Sequence, residues 1–310
     1  MPIKIVEGLP VRKHLKEEQV YTIEHARAIK QDIRPLRILI VNLMPKKEAT
    51  ELHLLRLLGN TALQIDVDFL YTKTHTSEHT STSYLRQFYK HFAEVQEEYY
   101  DGMIVTGAPV EHLDYQAIDY INELDDIMHW SQTHVYSRLF ICWAALYALK
   151  YDHNIDRIRL ENKLFGIFNY HTIQAAHPYL RGFDDTYAVP QSRHVSVDWD
   201  AIRQQGELKI LTDHPTYGPD IITTTDQRDL YVLGHLEYDR QTLKQEYDRD
   251  VRRGLKQAIP YGYYPEDDPE KQPINNWKSH GYLLYNNWLN ETYQHTLYDL
   301  SGLAQLDRKL

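Results

Sequence analysis

Cys142 is the only cysteine among the 310 residues, and it ends an apolar run. Residues 138–142 favour a buried β-strand, whereas the alanine-rich segment after Cys142 favours a helix. A thiol at such a turn lies at the carboxyl edge of a sheet and faces the N–H groups of the next helix, which favour a thiolate and stabilise an oxyanion. Cysteine is also a common core residue, so a structural role stays open. A nucleophile is indicated only if a base accompanies it.

His235 and Glu237 follow a second strand-like run, residues 230–234, which ends as Gly-His-Leu-Glu. Residues two apart on an extended segment point the same way, so Glu237 can orient His235. A histidine backed by a carboxylate is the expected base for a thiol nucleophile. Cys142 can meet this pair because the carboxyl ends of parallel strands share one edge of a sheet. The alternative is that His235 is an ordinary member of the 17 histidines and that Glu237 begins a solvated helix.

Gly107 ends a third strand-like run and starts a Gly-Ala-Pro turn. A glycine there lets the backbone approach a ligand closely, and the loop could present N–H groups to an oxyanion. A tight connection without function is the alternative. Charged substrates would also need cations in this acidic protein. The candidates are Lys46, Lys47, Lys163, Arg193 and Arg249.

The elements that would hold these residues alternate between strand and helix. Nearly continuous apolar runs predict buried parallel strands over residues 36–41, 63–70, 102–106, 138–142 and 230–234. Apolar spacing predicts helices over residues 48–58 and 115–130. The alternation indicates an α/β fold with a parallel sheet. The polar segment 74–83 predicts a mobile loop, and its histidines His75 and His79 lack the third ligand that a metal site needs.

Whole-chain properties exclude several classes of protein. A formal charge of −10 repels phosphate backbones, so we expect no nucleic-acid partner. No signal-peptide core and no membrane-spanning apolar run is recognisable, so we expect a cytoplasmic protein that does not bind membranes. We predict one domain, residues 1–310, made of an N-terminal extension (1–35), an α/β core (36–258) and a tyrosine-rich C-terminal segment packed on the core (259–310).

The chain resembles the homoserine O-acyltransferases of methionine biosynthesis over nearly all of its length. The resemblance rests on long motifs in a fixed order: Ile33-Arg34-Pro35-Leu36, Asn42-Leu43-Met44-Pro45-Lys46-Lys47, Val105-Thr106-Gly107-Ala108-Pro109, Arg181-Gly182-Phe183-Asp184-Asp185 and Trp277-Lys278-Ser279-His280-Gly281. It implies a class I glutamine amidotransferase-like fold, which is a flavodoxin-like parallel sheet with helices on both faces.

The resemblance also implies a mechanism with residue roles. Cys142 would be acylated by acyl-CoA and pass the acyl group to a hydroxyl, with His235 as general base and Glu237 orienting it. Glu111 stands where this family carries glutamate with acetyl-CoA and glycine with succinyl-CoA, because a carboxylate there repels the free carboxylate of a succinyl group. The substrate contacts implied are Lys163, Ser192 and Arg249. Possible contacts to CoA or the oxyanion are Lys46, Lys47, Gly107, Trp143 and Arg193. We expect acetyl-CoA as co-substrate, no permanently bound cofactor and a homodimer.

Three departures from the family pattern bear on the acceptor: Leu236 replaces proline, Gln191 replaces histidine and Ile121 replaces tryptophan. They leave L-serine, and thus cysteine biosynthesis, as an alternative to L-homoserine with the same chemistry. A glutamine amidotransferase or cysteine hydrolase of the same fold is a second alternative. Such enzymes usually flank the nucleophile with glycines, whereas bulky residues and alanine flank Cys142 here.

Overall fold

A nine-stranded sheet forms the centre of the protein. In the computed structural model, the residues described are 3–17, 22–23, 34–74, 80–255, 258–306 and 308. The sheet order is β2-β1-β4-β3-β5-β6-β13-β12-β9, and every neighbouring pair from β2 to β13 is parallel. Its strands are β1 Ile3–Lys4, β2 Thr22–Ile23, β3 Leu36–Val41, β4 Ile65–Leu70, β5 Tyr100–Val105, β6 Val135–Ile141, β9 Leu208–Ile210, β12 Ile221–Thr224 and β13 Asp229–Val232.

Both faces of this sheet are covered, which explains why most residues of its central strands are apolar. Alternate residues of one strand enter different clusters: Leu139 packs on one face, whereas Phe140 packs on the other. The helices are α1 Arg12–Glu17, α2 Lys47–Leu58, α3 Thr82–Phe88, α4 Ile121–His134, α5 Trp143–His153, α6 Trp199–Gln204, α7 Thr242–Arg252 and α8 Lys278–His295. Helices α2 and α8 cover one face, and α4 and α5 cover the other. The predicted α/β sheet with helices on both faces is confirmed.

A second, antiparallel sheet was not predicted from the sequence. Its order is β11-β10-β7-β8, and its centre is a hairpin of two long strands. The strands are β7 Arg157–Thr172, β8 Thr186–Val197, β10 Thr212–His214 and β11 Gly218–Pro219. The main sheet is also not wholly parallel, because β12 runs antiparallel to both β13 and β9.

The helix predicted over 115–130 is wrong at its beginning. Tyr115–Ala117 is a short 3₁₀ turn, and the helix starts only at Ile121. Ile118 matches the helical spacing and is buried, but its backbone is extended. Periodicity therefore could not distinguish it from a helical residue.

The predicted loop at 74–83 is described only in part. Its residues 75–79, which include both histidines, lie outside the described part of the chain. The end of the segment is not a loop, because helix α3 begins at Thr82. Ser81 caps this helix, with its hydroxyl accepting a hydrogen bond from the Tyr84 N–H at 3.2 Å.

Candidate active site

Cys142 lies between β6 and α5, at the strand-to-helix turn that the sequence indicated. Its backbone has φ 52° and ψ −113°, a conformation that residues with a side chain rarely adopt. The turn is held because the Cys142 N–H donates to the carbonyl of Val232, at 2.7 Å, on the neighbouring strand. Strained backbone of this kind is typical of nucleophile elbows, which project the reactive atom from the sheet edge. The side chain is 8% exposed, so a substrate can reach it only through a shaped pocket.

His235 and Glu237 are positioned by the turn that follows β13. The Nδ1 of His235 lies 2.6 Å from Oε1 of Glu237. Burial opposes a charge on His235, but Glu237 and Cys142 outweigh burial and raise the pKa of His235 well above its ordinary value. The histidine therefore interacts with the carboxylate and also with the thiol, as a hydrogen-bonding partner of each. The structure brings the three predicted triad residues together. His235 and Glu237, however, lie in a turn and not on the extended segment that the sequence predicted.

Gly107 borders the space between the cysteine and the histidine. A Cβ built on it would lie 3.5 Å from Cβ of Cys142 and 3.7 Å from Cε1 of His235. Because it carries no side chain, room for a reacting group remains between the two. The first N–H groups of α5, beginning at Trp143, have no helical partner and lie at the same end. The ring of Trp143 itself is buried and stacks on Tyr147, so only its backbone can serve an oxyanion.

The catalytic turn is anchored by a buried polar network around Asp220. One carboxylate oxygen of Asp220 accepts from the Gly234 N–H at 2.7 Å and from Nε2 of Gln191 at 3.1 Å. The other oxygen accepts from the hydroxyl of Tyr187 at 2.8 Å. The His235 N–H donates to the carbonyl of Pro190 at 2.9 Å. These contacts fix the backbone just before and at His235.

Lys163, Ser192 and Arg249 converge on one carboxylate, that of Glu246. Its Oε1 lies 2.7 Å from Nζ of Lys163, 2.7 Å from the hydroxyl of Ser192 and 3.9 Å from Arg249. Lys163 and Ser192 come from the hairpin of the second sheet, whereas Glu246 and Arg249 lie on α7. Sequence reasoning missed Glu246. The available signal was its position three residues before Arg249, on the same face of an amphipathic helix.

Tyr238 connects this cluster to the triad. Its ring stacks on His235, with centroids 4.1 Å apart and planes at 10°. Burial and the nearby charges of Glu246, Glu237, Cys142 and Glu111 raise the pKa of Tyr238 well above its ordinary value. Tyr238 therefore interacts electrostatically with Cys142, Glu246 and Glu111 in addition to stacking on His235. Glu111 itself accepts a hydrogen bond from the His194 N–H at 2.9 Å.

The remaining candidate cations differ in location. Lys46 is exposed. Lys47 is buried; its ammonium donates to the carbonyl of Asn42, and burial lowers its pKa to about 8. Arg193 is 1% exposed and donates to Oε1 of Gln191 and to the carbonyl of Val195, both at 2.8 Å. Lys47 and Arg193 thus make their hydrogen bonds within the protein, in contrast to the prediction that they contact CoA.

Two other features bear on the class of protein. Within the described ranges, no group of three histidine, cysteine or acidic residues could hold a metal ion. None of the helices described is long and apolar enough to cross a membrane.

The sheet order, the elbow cysteine and the histidine–glutamate pair define an enzyme of the class I glutamine amidotransferase-like fold. Solved structures with this fold include a glutamine amidotransferase from Thermotoga maritima, with a TM-score of 0.56 and 12% identity over 84% of this chain and 99% of that one. A glutamine amidotransferase from Methylobacillus flagellatus gives a TM-score of 0.52 and 11% identity over 84% of this chain and 95% of that one. These likenesses show the fold alone.

The sequence places the chain within one family. The family model described as homoserine O-succinyltransferase matches residues 2–298. A homoserine O-acetyltransferase of Acetivibrio thermocellus is 46% identical, over 98% of this chain and all of that protein. One of Clostridium novyi is 48% identical, over 96% of this chain and 99% of that protein. The chain belongs to the homoserine O-succinyltransferase family and is an acyltransferase.

Proposed function

We propose that this enzyme transfers an acetyl group from acetyl-CoA, through a thioester on Cys142, to the side-chain hydroxyl of L-homoserine. The observation that carries the proposal is the arrangement of His235, which has Glu237 at 2.6 Å on one side and the thiol of Cys142 on the other. A cysteine, a histidine and a carboxylate in this order are the expected parts of nucleophilic acyl transfer.

In the first half-reaction, the thiolate of Cys142 attacks the carbonyl carbon of acetyl-CoA. The carbon–sulfur bond to CoA breaks, and the departing sulfur takes a proton from the imidazolium of His235. The raised pKa of His235 supports this step, because it keeps that proton available beside the thiolate. The N–H groups near Gly107 and at the start of α5 would stabilise the oxyanion that forms.

In the second half-reaction, the acceptor hydroxyl attacks the thioester. Acylation removes the negative charge of Cys142, which is one cause of the raised pKa of His235, so this pKa falls in the acyl-enzyme. The neutral histidine can then accept the hydroxyl proton while the oxygen forms its bond to the acetyl carbon. The carbon–sulfur bond to Cys142 breaks, and the thiolate–imidazolium pair returns.

The cluster around Glu246 suits the charged end of an amino acid. Lys163 and Arg249 can bind a carboxylate, and Glu246 and Ser192 can accept hydrogen bonds from an ammonium group. Tyr238 stacks on His235 and is influenced by the charges of both Glu246 and Cys142, which supports an acceptor held by the cluster with its hydroxyl directed towards the triad.

L-Homoserine is favoured over L-serine as the acceptor. Gln191 is completely buried and bonds to Arg193 and Asp220, whereas its neighbour Ser192 bonds to Glu246. Leu236 is 2% exposed and packs in the core. These two departures from the family pattern therefore face away from the acceptor cluster. The relatives described above are named homoserine O-acetyltransferases.

Glu111 favours acetyl-CoA over succinyl-CoA. Its carboxylate lies close enough to Tyr238 to influence that residue, as Cys142 does. A succinyl group would bring a second carboxylate next to that of Glu111. Two negative charges repel more strongly within a protein than in bulk water, because the effective dielectric constant is lower.

The proposal is tested by initial rates with each donor paired with each acceptor. We expect acetyl-CoA with L-homoserine to give the highest kcat/KM. A one-methylene difference is worth about 1–3 kcal/mol in a pocket, so L-serine should be poorer by about ten-fold or more. A higher kcat/KM with L-serine would overturn the acceptor, and a higher one with succinyl-CoA would overturn the donor. Release of ammonia from glutamine without acyl transfer would instead favour an amidotransferase.

A further inference from the structure

The turn that carries His235 places an aromatic ring against the imidazole. Tyr238 follows His235 by three residues, and its N–H donates to the carbonyl of His235 at 3.2 Å. This closed turn brings the two side chains side by side, with ring centroids 4.1 Å apart and planes at 10°. Near-parallel rings at this distance are in full van der Waals contact, so the imidazole cannot rotate without moving the tyrosine.

The backbone of Tyr238 is itself held from the far side. Nε1 of Trp277 donates to the carbonyl of Tyr238 at 2.8 Å, and Trp277 is completely buried at the start of α8. One turn later, Gly281 lies against the same loop, because a Cβ there would be 2.6 Å from the carbonyl oxygen of Leu236. The motif Trp277-Lys278-Ser279-His280-Gly281, which has no other role in the site, thus supports the tyrosine.

We propose that Tyr238 is a positioning residue, whose stacked ring fixes the plane of the His235 imidazole and stabilises its protonated form, with Trp277 holding the backbone of Tyr238. An aromatic face attracts a cation placed over it, and a desolvated pair gains most. This positioning role depends on the proposed function in one respect, which is that His235 acts as the acid and base of the reaction.

Several charged and titratable groups surround the pair and bear on its pH profile. Arg56, Arg240 and Lys278 line a cavity together with Glu237 and Tyr238. Cys142 and Glu237 face His235, and Glu111 and Glu246 also face Tyr238. His53 lies 6.1 Å from the tyrosine ring and pairs with Asp239, and Tyr285 lies near Glu237. A substitution at Tyr238 leaves these side chains in the protein, so a change in the pH profile can be assigned to the loss of the tyrosine ring or of its hydroxyl.

The test compares Tyr238→Leu with Tyr238→Phe, which keeps the ring and loses only the hydroxyl. Because Cys142 is the only cysteine, its alkylation by iodoacetamide can be followed across pH without any substrate. We expect the alkaline step of this profile, where the imidazolium beside the thiolate loses its proton, to move down by about 0.5–1 pH unit in Tyr238→Leu. It should stay in place in Tyr238→Phe.

Steady-state rates provide the second measurement. We expect Tyr238→Leu to lower kcat about ten-fold with little change in the KM for acetyl-CoA, and Tyr238→Phe to retain most of kcat. Equal losses in both variants would assign the effect to the hydroxyl and overturn the proposal, as would an unchanged alkylation profile in Tyr238→Leu.

Folding and the proposed function are controlled separately. Trp277→Phe keeps an aromatic ring in the core but removes the N–H donor. If the backbone of Tyr238 must be held, we expect this variant to have a kcat between those of the wild type and Tyr238→Leu. A wild-type kcat in this variant would remove Trp277 from the account. Alkylation does not need acyl transfer, so the proposed function could fail, with no transfer from any acyl-CoA, while the stacking proposal still passes its own test.

Discussion

At the scale of single residues, the proposed choice of acyl donor rests on Glu111. Its carboxylate is held by the His194 N–H at 2.9 Å, and its charge is one of those that raise the pKa of Tyr238. A fixed charge of this kind can exclude a donor that carries a second carboxylate, which is specificity by repulsion. The name of the family model mentions succinyl transfer, whereas the relatives' names mention acetyl transfer, and we propose that Glu111 determines which of the two donors this enzyme uses.

Two substitutions separate the charge of Glu111 from its volume. We expect Glu111→Gly to raise kcat/KM for succinyl-CoA by about ten-fold or more, because it removes both the repulsion and the occupied space. Glu111→Gln keeps the size of the side chain and its hydrogen bond to His194, so it should give a smaller gain that comes from charge alone. Initial rates with both donors measure this. An unchanged donor preference in Glu111→Gly would remove Glu111 from the account.

At the scale of elements, the site depends on how three strands are joined. Asp220 lies immediately before β12, and its carboxylate bonds to Gly234 after β13 and to Gln191 on β8. A Cβ on Gly234 would lie 2.2 Å from Val189 and 2.7 Å from the Asp220 carboxylate, so only glycine fits this junction. The backbone position just before His235 is therefore determined by contacts with both sheets.

We expect Asp220→Ala to weaken this junction. The Gly234 N–H would lose its acceptor, and Nε2 of Gln191 would keep only the hydroxyl of Tyr170, at 3.2 Å. Loss of an acceptor costs about 1–3 kcal/mol for a buried donor. The free energy of unfolding should fall by about that amount, and kcat should fall about ten-fold because His235 loses its fixed position. Asp220→Asn keeps one acceptor oxygen and the volume, and is the matched control. Urea unfolding and kcat together measure the effect, and a wild-type kcat in Asp220→Ala would contradict it.

The elements were predictable to the extent that local sequence determines them. Strand β3 has its predicted bounds, and Cys142 and the Gly-His-Leu-Glu end could be located because apolar runs end abruptly there. The hairpin of the second sheet was not predicted, because its pairing joins residues far apart in sequence and its pattern is irregular. The roles of Glu246 and Tyr238 emerge only from tertiary contacts: each is one of many acids or tyrosines until the fold brings it to Lys163 or His235.

At the scale of the whole molecule, a buried ionic cluster lies at the edge of the sheet opposite the site. Arg138, in the middle of β6 and opposite the first residue of β13, bonds to Asp229 at 2.7 and 2.8 Å and to Asp152 at 2.9 Å. Arg308, near the C-terminus, also pairs with Asp229 and donates to the carbonyl of Tyr136 at 2.8 Å. Although burial opposes its charge, the two arginines hold the pKa of Asp229 well below its ordinary value. The cluster joins two neighbouring strands, a helix and the C-terminal residues.

This cluster predicts acid sensitivity. A carboxylate with a depressed pKa in the folded state contributes stability that is complete above its unfolded pKa, and that is lost as pH falls towards its folded pKa. Wild-type stability should therefore decline below about pH 4. We expect Arg138→Met to lose about 3–5 kcal/mol at neutral pH, because it leaves buried carboxylates without their main partner. The difference in the free energy of unfolding between wild type and Arg138→Met should become smaller as the pH falls. Urea unfolding at several pH values measures this difference.

Activity provides the control for this substitution. Because the cluster is remote from Cys142, kcat of the folded variant should match that of the wild type. If the difference in stability between the two proteins stayed constant across pH, the acid sensitivity could not be assigned to Asp229. A loss of kcat without a loss of stability would contradict the claim that the ionic cluster acts independently of the site at the opposite edge of the sheet.

The central claim is that the acetyl group passes through Cys142, and intact-protein and peptide mass spectrometry after rapid quenching tests it most directly. With acetyl-CoA and no acceptor, we predict a mass increase of one acetyl group, located on the peptide that contains Cys142 and removed when L-homoserine is added. Glu237→Gln should slow its formation, because the imidazolium loses its carboxylate partner. Robust turnover with no adduct at any quench time, or an adduct on another residue, would contradict the account.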